Sequence, residues 1–260
     1  MSDLNDRSLL DMKDSVTIIG GVSGGIGSAL ASKLVKKGHA VVGFARDQKR
    51  LDDLRAKHPE IETYVCDATD PEALKSCFDK INASYEQIEA YVHAIGSIFL
   101  KPAHLTSDKD WNQTLQTNLS SAFYALRAAT TYMNKQNSGS CLFFSTSAAQ
   151  AGIANHEAIA AAKGGIEAMV RSAAATYAAR NIRVNAIAPS LTDTPLAGPM
   201  TQNPQMLEAT KKMHPLGDIA QPEDVASLAE WLLSENAKFV TGQIFALDGG
   251  ISSIVPKPKL

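Results

Sequence analysis

No segment of this 260-residue chain approaches the roughly 18 uninterrupted apolar residues that a membrane-spanning helix requires. Charge of one sign is missing too. There are 25 Lys and Arg against 27 Asp and Glu, for a net charge of -2 with no long run of either sign, which speaks against a nucleic-acid footprint. A small-molecule partner fits such a surface better. Cysteine is scarce: Cys66, Cys77 and Cys141 are widely separated, show no CxxC spacing and cannot all pair within one chain. That argues against a disulfide framework and a zinc site, and for a reducing compartment. Residues 1–14 form a polar extension with acids among its apolar residues, lacking the basic start and apolar stretch of a secretory signal. Internal repeats and low-complexity tracts are absent. The expectation is a soluble, cytoplasmic protein with no metal and no nucleic-acid or membrane partner.

What is present is alternation. Short apolar runs rich in Val, Ile, Phe and Leu are each followed by a longer segment with helical spacing of its apolar residues. Repeated βαβ units of this kind build a parallel sheet covered on both faces. Strands are expected at 16–19, 40–44, 63–66, 90–94, 140–144, 183–187 and 243–247. The predicted fold is therefore α/β, a doubly wound parallel sheet of about seven strands of Rossmann type, in a single domain spanning 15–255. The connection 195–215, with four prolines, interrupts the rhythm and is expected to form a mobile lid over a substrate. Residues 256–260 are expected to trail into solvent.

Directly after the first strand comes Gly20-Gly21-Val22-Ser23-Gly24-Gly25-Ile26-Gly27, followed by a helix-prone segment. Between a buried strand and a helix, such a turn lets the backbone approach a pyrophosphate, whose charge is stabilised by the amides and positive dipole end of the helix. The second strand ends at Phe44-Ala45-Arg46, where an NAD enzyme of this architecture places an acid for the ribose hydroxyls. Ala45 has no acid to offer, and the guanidinium of Arg46 suits a 2′-phosphate, so NADP(H) is preferred with NAD(H) possible. The competing reading of Arg46 is a solvated residue at a helix start.

The spacing Gly21-x-x-x-Gly25-x-Gly27 resembles the TGxxxGxG fingerprint of the short-chain dehydrogenase/reductase family, with Gly20 in place of the threonine. The resemblance continues in order from about Ser15 to Ser252. It implies that Gly21, Ser23, Gly25, Ile26 and Gly27 bind cofactor and that Asp67 hydrogen-bonds the adenine amino group. Ala94-Ile95-Gly96 resembles the end of the family's NNAG motif, with His93 and Ala94 replacing both asparagines. Asn118, in Thr117-Asn118-Leu119, matches the helix asparagine. Pro189 to Thr194 is similar to the PGxxxT stretch that holds the nicotinamide carboxamide, and Thr241-Gly242 with Asp248-Gly249-Gly250 to the closing strand. In the family, helices equivalent to 113–133 and 158–179 form a dimer or tetramer interface, so a homodimer or homotetramer is implied. The other reading is that their small residues pack only on their own sheet.

The family's chemistry uses Ser, Tyr and Lys in YxxxK spacing together with the asparagine. Here Asn155-His156-Glu157-Ala158-Ile159-Ala160-Ala161-Ala162-Lys163 supplies the lysine but puts Ile159 at the tyrosine position. The serine position aligns on Thr146, although Ser145, Thr146 and Ser147 all offer a hydroxyl. Residues 156, 159 and 163 share a helix face, so His156 is expected to point toward the cleft that Lys163 faces. Imidazolium is a competent acid near neutral pH, disfavoured by a nearby lysine cation. Two readings of His156 are open: a substrate contact acting as acid, or a helix-start residue with a local hydrogen bond. His93 is expected at a strand end, with a ligand contact or a backbone hydrogen bond. Tyr91, Tyr124 and Tyr177 are expected to pack.

Three functions compete. The first is an NADP(H)-dependent oxidoreductase acting on a small carbonyl, alcohol or activated alkene, with Lys163, Asn118, Thr146 and His156 as catalytic candidates and an atypical proton donor. Ile159 favours the second, a catalytically inactive dinucleotide-binding sensor or scaffold. The third, a non-redox enzyme in the same cleft, has no residue in its support. Fold alone does not choose among them.

Overall fold

The computed structural model describes residues 13–256, so most of the polar extension and the final four residues lie outside the described residues. The expected alternation is realised in chain order as β1 (Lys13–Gly20), α1 (Gly25–Lys36), β2 (Val41–Ala45), α2 (Gln48–Lys57), β3 (Glu62–Val65), α3 (Pro71–Asn82) and β4 (Tyr85–His93). It continues with α4 (Asp108–Leu115), a π-helical turn (Gln116–Ser120), α5 (Ser121–Gln136), β5 (Gly139–Phe144), α6 (Glu157–Tyr177) and β6 (Ile182–Pro189). The short α7 (Gly198–Thr201), then α8 (Pro204–Met213), α9 (Pro222–Leu233) and β7 (Ile244–Leu247), complete it. All seven strands are parallel in the order β3-β2-β1-β4-β5-β6-β7.

Both faces of the sheet are buried, which is why its central strands read as nearly continuous apolar runs. On one face Ile18, Phe44, Tyr91 and Phe143 pack beneath α3, α5 and α6 through Leu74, Phe78, Ala125 and Ile166. On the other, Ile19, Val92, Leu142 and Ile187 pack beneath α1, α2 and α9 through Leu30, Leu51, Val225 and Leu232. Alternate residues of one strand thus belong to opposite cores, as a period of two dictates. Ala122, Ala125 and Ala129 of α5 and Ala173 and Ala174 of α6 belong to the core on the first of these faces. Among the described residues no helix is long and apolar enough to cross a membrane, and the three cysteines are buried and free.

β1 also begins earlier than expected, at Lys13, and β6 ends later, at Pro189, and two further differences have physical reasons. β4 begins at Tyr85 rather than at 90, because its first half pairs with the start of β1 while Glu86, Gln87 and Glu89 remain exposed. Polar side chains on an uncovered stretch hide the strand from an apolar-run criterion. The prolines of 195–215 do not mark an irregular loop either. Pro195 and Pro204 stand in the first turns of helical segments, where a missing amide proton costs nothing, and Asn203 caps α8 by accepting from the Gln205 and Met206 amides.

Gly21 fixes the point where β1 turns into α1. Its φ is +79°, and a Cβ there would lie 2.5 Å from the Ala94 carbonyl oxygen. Gly21→Ala is expected to lower stability in urea unfolding by about 1–3 kcal/mol through strain and that backbone clash. Gly24→Ala, at φ -80° with its nearest Cβ contact at 3.1 Å, is expected to cost clearly less. Equal losses would contradict this account of the turn.

Candidate active site

The chain runs outward from β1 to β2 and β3, then crosses back to β4 on the other side of β1. The connections therefore diverge at the carboxyl ends of β1 and β4 and leave a crevice, the place where open α/β sheets bind ligands. The glycine turn is tied into it. Gly21 donates its amide to the Phe44 carbonyl at 2.8 Å, and Ala94 donates to the Gly20 carbonyl at 2.9 Å.

At the start of α1, Gly24 provides no side-chain cap and the first turn holds no acid. The amides of Gly25, Ile26 and Gly27 have no protein acceptor among the described residues, and the positive helix end is uncompensated. This donor set suits a diphosphate. Beside it, Arg50 reaches across from α2 and donates from Nη2 to the Ser23 carbonyl at 2.7 Å. Arg46, at the end of β2, is exposed and has no protein partner among the described residues. Asp67, after β3, accepts from the Thr69 amide and hydroxyl at 2.9 and 2.8 Å through Oδ1, leaving Oδ2 available.

Beyond the turn lies a cavity of about 400 Å³ whose wall includes Ile26, Ala94, Gly96, Thr146, His156, Ile159, Lys163, Pro189 and Thr194. Eight of the predicted site residues therefore meet there, whereas Arg46 and Asp67 lie outside it, on the β2 and β3 side of the crevice. A wider groove of about 750 Å³ follows the outer flank of α1 and α2 and touches the turn at Ser23, Gly24 and Gly25. It contains neither Lys163 nor the 145–147 hydroxyls, so the candidate catalytic side chains gather in the smaller cavity.

Lys163 is buried and donates from Nζ to the Phe144 carbonyl at 2.9 Å. Burial lowers its pKa to about 8, since the charged form loses more hydration than the neutral one. Asn118 sits in the π-helical turn, a distortion frequent at functional sites. Its Oδ1 accepts from the Ser97 amide at 3.0 Å, and its Nδ2 donates to the Ser97 hydroxyl at 2.9 Å and the Thr114 carbonyl at 3.0 Å. The side chain is thus committed to holding the backbone at 96–97, where a Cβ on Gly96 would come within 3.3 Å of Lys163 Nζ.

The three neighbouring hydroxyls separate by their partners. Ser145 donates to Glu167 Oε1 at 2.8 Å and is occupied. Thr146 accepts from the Ala148 amide at 3.3 Å and retains its own proton, while the Ser147 hydroxyl has no partner among the described residues. His156 makes the local hydrogen bond of a helix-start residue, Nδ1 donating to the Ala154 carbonyl at 2.7 Å, and its ring lines the cavity with Ile159 and Lys163.

His93 departs from the expected backbone bond: it is not among the residues lining the cavity, and its ring bonds two side chains. Ser121 donates to the Thr117 carbonyl at 2.7 Å, so at 3.1 Å it must accept from His93 Nε2–H; Nδ1 then accepts from the Tyr91 hydroxyl at 2.7 Å. The ring satisfies a fully buried tyrosine. Burial, with the Lys163 charge as a smaller cause, lowers its pKa to about 3 and keeps it neutral. The sequence also gave no sign of the Ser190 hydroxyl donating to His214 Nε2 at 2.8 Å, with His214 Nδ1 donating to the Thr210 carbonyl at 2.7 Å. That pair pins the end of α8 to the end of β6.

A family model described as Enoyl-(Acyl carrier protein) reductase matches residues 21–252. The chain belongs to the short-chain dehydrogenase/reductase family. It is 32% identical over 248 residues to a cis-4-hydroxycyclohexanecarboxylate dehydrogenase from Sinomonas cyclohexanicum, covering 93% of this chain and 98% of that protein. Its structure is similar to that of a short-chain type dehydrogenase/reductase from Mycobacterium ulcerans, with TM-score 0.88, 27% identity and coverage of 93% and 91% of the two chains. It is also similar to ElxO with NADP bound, with TM-score 0.85, 25% identity and coverage of 94% and 100%. As a member of this family the protein is, in general terms, an NAD(P)-dependent oxidoreductase. In this short-chain dehydrogenase/reductase no tyrosine lines the cavity among the described residues, and Ile159 stands on its wall one helical turn before Lys163.

The lowered pKa of Lys163 has a testable sign. The ammonium is present below about pH 8 and is lost as the pH rises through that value. A nucleotide held by this charge is expected to bind about tenfold more weakly at pH 9.5 than at pH 7, in line with a hydrogen bond to a charged group. Lys163→Met should bind weakly with a flat profile. A flat wild-type profile would contradict a role for the ammonium in holding the ligand.

Proposed function

We propose that the protein is an NADP(H)-dependent oxidoreductase acting on a small carbonyl, alcohol or activated alkene, with NAD(H) as a weaker cofactor. The observation that supports this most is the row of suitable groups along the crevice. It runs from Asp67 and Arg46 past the open amides at Gly25 to Gly27, and on to Lys163 inside the cavity. Arg46 follows Ala45, which has no carboxylate to oppose a 2′-phosphate, and Arg50 adds a second guanidinium next to the turn.

When bound, the nicotinamide supplies or accepts hydride. The chain's own residues have separate tasks. The amides at 25–27 hold the diphosphate, Asp67 Oδ2 accepts from the adenine amino group, and Lys163 Nζ has two protons left for ribose hydroxyls after its bond to Phe144. Gly21 and Ser23 shape the turn, while Ala94, Gly96, Pro189 and Thr194 border the nicotinamide. Thr146 donates its free proton to the substrate oxygen, and His156 Nε2 holds the proton exchanged with substrate. Asn118 positions the 96–97 backbone beside Lys163. Ile159 is compatible with a non-catalytic sensor, which would use the same binding residues and differ only in turnover.

Protein-fluorescence titrations with NADPH and NADH test the reading. NADPH is expected to bind at least about tenfold more tightly, equivalent to about 1.4 kcal/mol, and Arg46→Ala should remove most of that preference. Equal affinities in the wild type would contradict the assignment of Arg46. His156→Ala is expected to slow turnover at unchanged NADPH affinity; unchanged turnover would leave that histidine only its bond to Ala154.

A further inference from the structure

Most of the cavity's polar groups are already committed. Lys163 donates to Phe144, and Ser145 to Glu167. Both nitrogens of His214 are bonded, and the Ser190, Thr192 and Thr210 hydroxyls donate to His214, the Ser190 carbonyl and the Met206 carbonyl. The Ser97 and Thr194 hydroxyls accept from Asn118 Nδ2 and the Ala197 amide and each keep a proton, on the Gly96 and Thr194 side that the reading above gives to the nicotinamide. What remains for a substrate is one small group: Thr146, Ser147 and Nε2 of His156. Among the described residues no carboxylate and no guanidinium lines the cavity. Lys163, the lysine on its wall, is assigned to the ribose in the reading above, on which this inference rests.

The remainder of the wall is aliphatic or thioether, including Ile98, Ile153, Ile159, Leu196, Met200 and Met206. Several of these side chains stay open to solvent at the mouth, Leu196 at 53%, Met206 at 45% and Met213 at 52%. Apolar side chains grouped around one opening form a surface that becomes favourable when an apolar ligand covers it. Methionines on α7 and α8 can adapt their shape to such a ligand.

We infer that the site takes an uncharged, largely apolar substrate carrying a single carbonyl or hydroxyl oxygen, and selects against carboxylates and polyols. The oxygen meets the Thr146 and Ser147 hydroxyls, and the hydrocarbon part meets the isoleucine and methionine wall. A carboxylate entering that wall loses hydration without gaining a partner, and each extra hydroxyl of a polyol is left unpaired. Selectivity thus comes from what the wall cannot bond as much as from what it covers.

Isothermal titration calorimetry on protein saturated with NADP⁺ tests this without turnover of a ketone. The probes are 4-tert-butylcyclohexanone, 4-oxocyclohexanecarboxylate and glucose, the first two sharing a ring and a carbonyl. The tert-butyl ketone is expected to bind at least about tenfold more tightly than the carboxylate, with no detectable binding of glucose. Met206→Arg, a change at a half-exposed position on α8, is expected to fold and to reverse or abolish the preference between the two ketones. The inference is overturned by a carboxylate or glucose that binds as well as the tert-butyl ketone. It is equally overturned by no binding of that ketone up to its solubility limit, or by an unchanged preference in Met206→Arg. A preceding NADP⁺ titration separates the two levels: failure there removes the cofactor reading and this inference together, whereas NADP⁺ binding with the wrong order of ligands removes this inference alone.

Discussion

The meeting of the β1 and β4 ends at Gly21 constrains the rest of the site, because the backbone there passes so close to the Ala94 carbonyl that a Cβ has no room. That approach closes the floor of the crevice and points the start of α1 into it. It also sets Gly96 on the rim opposite Lys163. Sheet order supplies the opening, since the chain leaves β1 in one direction and returns to its other side through β4. The glycine turn and the cavity are consequently neighbours in one crevice, tied by backbone hydrogen bonds from Gly21 to Phe44 and from Ala94 to Gly20.

Within that frame, burial of charge organises the chemistry. Lys163 is held in a dry position by a single protein acceptor, which lowers its pKa to about 8 while leaving donor capacity for a ligand. The same burial makes a second cation unfavourable, and His93 accordingly stays neutral in a network with Tyr91 and Ser121. His156, partly exposed at the start of α6, is the cavity imidazole with a nitrogen still free. Ile159 between them makes the wall apolar at the point where the resemblance to the family leads one to expect a phenol. Ile159 thereby joins Ile98, Ile153, Leu196 and Met200 in one aliphatic and thioether wall.

Much of this was legible in short-range patterns. The glycine turn, Arg46 after β2, and the spacing of His156, Ile159 and Lys163 depend on local geometry, and each takes the place that local geometry indicates. The strand count followed from apolar runs that exist because both sheet faces are covered. The start of β4 escaped because an uncovered strand carries Glu86, Gln87 and Glu89. The helices of 195–215 escaped because proline at a helix start resembles proline in a loop. Partners distant in sequence left no local trace. Arg50 meets Ser23 across 27 residues, His93 meets Ser121 across 28, and His214 meets Ser190 across 24. Which of the 145–147 hydroxyls is free was likewise unreadable, because Glu167, 22 residues from Ser145, decides it.

The most direct test of the central claim, that this crevice holds a phosphorylated nicotinamide dinucleotide from the end of β2 to Lys163, is a crystal structure of the protein grown with NADPH. The account predicts the diphosphate on the amides of Gly25 to Gly27, the 2′-phosphate within hydrogen-bonding distance of Arg46, and a ribose hydroxyl on Lys163 Nζ. An ordered dinucleotide lying away from Lys163, or a crevice left empty at saturating NADPH, would contradict it.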